Sequence, residues 1–177
     1  MVKSILLTTI TFILLGNLKH DKINYRHKSL YKILRKTTGL EQPPLTEIKL
    51  PIPMNQNQEI LGKYFKILDP VSHNIIRYLY IGRVNSCRAG GCSSTIGLPI
   101  KNPGYEYFDY FILFDTTATV QVVKVFNYQA THGQEITTRG WLKQFNGYTI
   151  SKPMEIGKNI DVISGATVSV YAITMDV

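Results

Sequence analysis

The chain has 177 residues, 44% of them hydrophobic and 11% aromatic, enough for one well-buried domain and too apolar for a disordered chain. A formal charge of +8 suggests a nucleic-acid partner at first, but the charge is local. Lys19, Lys22, Arg26, Lys28, Lys32, Arg35 and Lys36 share a stretch whose one acid is Asp21, whereas from Gly39 onward twelve basic residues face eleven acidic ones. The basicity belongs to an arm, and no nucleic-acid role is expected.

Residues 1–18 have the anatomy of a signal peptide or N-terminal anchor. Lys3 gives a positive start, and Ile5 to Leu15 is an uncharged apolar run too short to span a bilayer comfortably. Only Gly16 and Asn17 offer small residues before a cut site, so a cleaved signal and a retained anchor both fit. The expected location is exported: periplasmic, or at an extracytoplasmic membrane face. Residues 19–57 read as a basic arm and linker. Ile23, Leu30, Ile33 and Leu34 give a loose helical pattern among the basic residues, which suits contact with an anionic membrane surface or equally a solvated helical face. Glu41-Gln42-Pro43-Pro44 breaks any helix, and Pro51 and Pro53 keep Leu45 to Asn57 extended or irregular.

Residues 58–177 form the expected domain. Tyr64 to Leu68 and Ile75 to Val84 are rich in aromatic and β-branched residues and predict two strands across a turn at Asp69-Pro70. Tyr107 to Phe114 and Thr119 to Tyr128 predict a second hairpin across Asp115-Thr116-Thr117. Trp141, Leu142 and Phe145 predict a short amphipathic helix between Gly140 and Gly147, and Val168 to Ile173 the start of another. The fold class is therefore α+β, an antiparallel sheet packed by a few short helices. Between the hairpins, Cys87 and Cys92 enclose Arg88-Ala89-Gly90-Gly91, a loop flexible enough for a structural disulfide in an exported protein; a redox-active pair is the sharper alternative. His20, His27 and His73 read as surface residues, His132 lies in the loop after the second hairpin, and no spacing favours a metal.

The most informative segment is Asp161-Val162-Ile163-Ser164-Gly165-Ala166-Thr167. Small residues ahead of a helix start leave backbone amides free at the positive end of a dipole, a phosphate-friendly arrangement beside the Thr167 hydroxyl. The segment resembles the flavinylation motif of the FMN-binding domain family, which includes the small subunits of membrane ion-pumping oxidoreductases. The order of hairpin (Phe111 to Tyr128), loop (Thr131 to Glu135) and tryptophan helix (Trp141 to Gly147) resembles that family too, over roughly residues 60–177. Two departures stand out: Val162 replaces a small residue, and Glu135-Ile136-Thr137-Thr138-Arg139-Gly140 stands where better-known members carry Glu-Thr-Pro-Gly-Leu-Gly.

The resemblance implies FMN bound by a phosphoester at Thr167, with Ser164, Gly165 and Ala166 admitting the phosphate and Asp161 helping a flavin transferase engage the motif. Glu135, Thr137, Thr138 and the rings of Tyr128 or Trp141 become candidates near the isoalloxazine. The implied protein is an electron carrier for redox partners at a membrane rather than a complete enzyme. The alternatives are a non-flavin exported interaction module with a disulfide loop, and a flavin reductase acting on a small acceptor.

Overall fold

In the computed structural model, residues 22–49, 61–86 and 106–177 are described. The expected signal peptide or anchor and the Cys87–Cys92 loop lie outside them. Five strands, β1 (Leu45–Ile48), β2 (Gly62–Leu68), β3 (Ile75–Asn85), β4 (Tyr107–Phe114) and β5 (Val120–Tyr128), form one antiparallel sheet in chain order. The two expected turns are closed by aspartates. Asp69 Oδ1 accepts from the amides of Val71 and Ser72 at 3.0 and 2.7 Å, and Asp115 Oδ1 from those of Thr117 and Thr119 at 2.9 and 3.0 Å. These side chains stand in for backbone acceptors as the chain reverses.

Side-chain alternation gives the sheet two buried faces. In β4, Phe108, Tyr110 and Ile112 enter one core and Phe111 and Leu113 the other, as successive strand residues must. On the Phe111 face lies α1 (Lys28–Thr38), whose Leu30 and Leu34 sit one turn apart against Phe65, Ile67, Leu79, Ile81, Phe111 and Leu113. His27 Nδ1 accepts from the Ser29 amide at 3.3 Å to start this helix, and Gly39, at φ 75°, ends it with its N–H on Arg35 O at 2.9 Å. The residues read as a basic arm and linker thus supply a docked helix and the edge strand β1 of the same sheet. Burying the two leucines contributes about 1.5–3 kcal/mol each, while the lysines on the other side of the helix stay hydrated.

The same face holds a buried ion pair. Arg83 Nε and Nη2 donate to Asp109 Oδ1 and Oδ2 at 2.6 and 3.0 Å, Asn127 Nδ2 donates to Oδ2 at 2.8 Å, and the guanidinium lies 3.7 Å from the Tyr107 ring centre.

The opposite face is covered in shorter pieces: a 3-10 turn at Gln134–Thr137, α2 (Arg139–Leu142), a 3-10 turn at Lys143–Phe145 and α3 (Thr167–Asp176). Ile136, Trp141, Leu142, Phe145, Val170 and Ile173 pack there on Tyr80, Phe108, Tyr110, Val123 and Val125. The short helix expected around Trp141 is met by α2 followed at once by the 3-10 turn at Lys143–Phe145. Gly140 lies inside α2, and Gly147, at φ 82°, follows the segment as expected. Helix α3 is rich in β-branched residues and too short to stand alone, so its buried Val170, Ala172, Ile173 and Thr174 hold it to the sheet. Near its end the Tyr110 hydroxyl donates to the Asp176 carboxylate. Asp176 is exposed at the helix end, yet desolvation of its carboxylate against Tyr110 raises it above the usual carboxylate range, and burial followed by the Asp176 charge holds Tyr110 well above the usual phenol range.

Candidate functional site

The segment from Asp161 to Thr167 leads into the first turn of α3. Its entry is fixed through backbone atoms: Trp141 Nε1 donates to Asp161 O at 2.9 Å, and the Asp161 amide donates to Gln144 Oε1 at 2.7 Å. Ile160 and Ala166 are buried on either side, so the intervening loop is pinned at both ends while Asp161, Val162, Ser164 and Gly165 face solvent. Gly165 takes φ 80° with open space around the position of a Cβ, which makes the turn affordable only to glycine or at a conformational cost.

Helix α3 begins at Thr167. Ala166 precedes it as cap residue and has no side-chain acceptor to offer, so the first-turn amides of the helix are left without a cap from that residue. The Thr167 side chain is exposed. Its direction follows from Ser169, two residues on and about 200° around the helix: when Ser169 turns into the core, Thr167 must turn out.

Ser169 is held inward by a chain of hydroxyls. Ser86 Oγ, at the end of β3, lies 2.7 Å from Ser169 Oγ, which lies 3.2 Å from Tyr128 Oη, and Tyr128 in turn donates to His132 O. Since Tyr128 spends its one proton on His132 O, Ser169 donates to Tyr128 and Ser86 to Ser169. Burial holds the Tyr128 phenol above its usual range, with the two serines acting against that shift, so it remains a donor at neutral pH. The loop after β5 joins the same cluster. A Cβ on Gly133, at φ 85°, would lie 2.7 Å from Ser169 Oγ and 3.0 Å from Tyr128 Oη. The loop is further tied down where the Thr131 amide donates to Glu106 Oε2 at 2.9 Å.

The structure therefore brings together the small-residue loop, the start of α3 and the loop carrying His132 and Gly133. Glu135 and Thr138 are exposed and Thr137 is half-buried, in the turn that directly follows Gly133. Trp141 is placed differently from a ring partner on a rim: it is 8% exposed, lies edge-on to Phe145 at 5.3 Å and uses its indole N–H on the loop. Tyr128 is half-buried, with its ring stacked on Phe108 at 5.5 Å. Ser86 and Gly133 carry no local sequence signal, because their partners are 83 residues away for Ser86 and across the fold for Gly133. The residues present suit the phosphate end of a flavin nucleotide: an outward hydroxyl, uncapped amides and a loop with little side-chain bulk.

No family model matches the sequence, and none of the curated proteins matches it.

Proposed function

We propose that this chain is an exported electron-transfer protein that carries FMN through a phosphoester at Thr167. The observation that carries the reading is the start of α3 at Thr167, with its hydroxyl outward and its first turn uncapped. A phosphate bonded to that hydroxyl would sit among amide donors at the positive end of the helix, a placement worth about 0.3–1 kcal/mol for an exposed anion. Ser164, Gly165 and Ala166 keep bulky side chains away from it. Asp161, pinned by its backbone and exposed in its side chain, is available for a flavin transferase to engage. Glu135, Thr137 and Thr138 are the polar groups on the neighbouring turn that would meet the ring system. When bound, FMN supplies one- and two-electron transfer, and the protein's share is to fix its position and tune its surroundings.

The reading extends to a redox partner at a membrane as donor and a second protein as acceptor. It is tested by expressing the protein with a flavin transferase. A purified protein that absorbs in the flavin bands and keeps its colour through denaturation and gel filtration supports the phosphoester. Colour lost on denaturation overturns covalent attachment, and a colourless protein overturns the flavin reading altogether.

A further inference from the structure

We propose that the outward face of α1 seats against an anionic lipid surface, with the sheet standing between that surface and Thr167. Leu30 and Leu34 are 1% and 0% exposed, and their burial fixes the roll of the helix about its axis. Lys28, Lys32, Arg35 and Lys36 are all exposed and recur at helical spacing, so they form one stripe on the side turned away from the sheet. Lys22 and Arg26, also exposed, continue the positive charge into the segment before the helix. Residues 22–40 contain no acid, and Glu41, the first beyond them, pairs with Arg35 at 3.5 Å.

A row dominated by lysines presents flexible point charges rather than one rigid fork, and matches a laterally continuous negative surface better than a single carboxylate or phosphate ligand. Lipid is favoured over other polyanions by the chain just ahead. Six residues separate Leu15, the end of the apolar run, from Lys22, so a run that enters hydrocarbon holds Lys22, the first cation ahead of the stripe, within about 25 Å of the headgroups. Because α1 and α3 cover opposite faces of the sheet, the exposed Thr167 is then on the side away from the lipid, open to soluble partners. The proposal rests on the fold and on the apolar run in the sequence, and does not depend on the flavin reading.

The test is flotation of the full-length protein with phosphatidylcholine vesicles, with and without phosphatidylglycerol. The expected result is a preference for the anionic vesicles that falls with added salt. The quadruple variant Lys28→Gln, Lys32→Gln, Arg35→Gln, Lys36→Gln is expected to lose at least about tenfold of that preference, since each cation near an anionic leaflet is worth about fivefold. Lysine acetylation of the unaltered protein gives a second readout that needs no variant to fold. Lys28, Lys32 and Lys36 should be shielded by anionic vesicles, while Lys143 and Lys152 stay reactive. A preference unchanged in the variant, equal labelling with and without anionic lipid, or equal affinity for a duplex oligonucleotide or an acidic protein would overturn the proposal.

Discussion

On one face of the sheet an 11-residue helix with a cap at each end lies across aliphatic and aromatic side chains beside a buried ion pair. The other face is closed by pieces of three to ten residues, joined through the Trp141–Asp161 bond and the Ser86–Ser169–Tyr128 hydroxyls. The first arrangement leaves no helical backbone end unanswered. The second leaves the start of α3 without a side-chain cap, its first-turn amides open to water or to a ligand. Under the proposed function stability and binding are separated across the sheet, and substitutions on the two faces should differ in kind.

The largest effect belongs to the ion pair. Asp109→Ala removes both carboxylate oxygens from the Arg83 guanidinium, whose side chain is 4% exposed, and should cost about 3 kcal/mol in urea unfolding. Flavin loading measured well below the melting temperature should be unchanged; a loss of loading in the folded variant would show that the faces are not separate.

Two glycines with similar backbone angles give the next contrast. Gly133→Ala meets Ser169 Oγ at 2.7 Å in addition to its φ of 85°, and should cost about 1–3 kcal/mol and lower flavin loading as α3 shifts. Gly39→Ala, at φ 75° with nothing within 4 Å, should cost about 1 kcal/mol and leave loading intact. Equal loading in both would remove Gly133 from the positioning of Thr167.

The smallest effects are in pH dependence, and they run in opposite directions. Burial, with Lys28 beside it, holds His27 below the usual imidazole range. Its contribution is therefore present above the unfolded value near 6.5 and is lost as pH falls through it, when Nδ1 gains a proton and can no longer accept from Ser29. His27→Ala should cost about 1 kcal/mol at pH 8 and flatten stability below pH 7 or so. Asp176, exposed as a residue, is raised by desolvation of its carboxylate where it meets Tyr110, so the folded state holds its proton longer, and stability falls slightly as pH rises from about 4. Asp176→Asn should flatten that region in thermal unfolding while keeping an acceptor for Tyr110.

Strands β2 to β5 were legible because aromatic and β-branched runs sit on either side of aspartates that close turns, at Asp69 and Asp115, whereas β1 was read as linker. The start of α3 was legible from Gly165 and the hydroxyl at Thr167. The docking of α1 was not, since lysines crowd the stretch and only two leucines, one turn apart, signal a buried face. Nor was the placement of Trp141 in the core, with its indole edge bonded to the loop. Arg83 and Asp109 are 26 residues apart, and Ser86 and Ser169 83 apart; such pairings depend on strand register, which no local pattern reveals.

The central claim is a bond at one atom, and intact mass tests it most directly. Protein made with a flavin transferase should gain the mass of one FMN less one water, located by peptide sequencing to Thr167 and absent from Thr167→Ala, which folds normally because the side chain is exposed. An unmodified mass in the parent, or the same added mass in Thr167→Ala, would contradict the account.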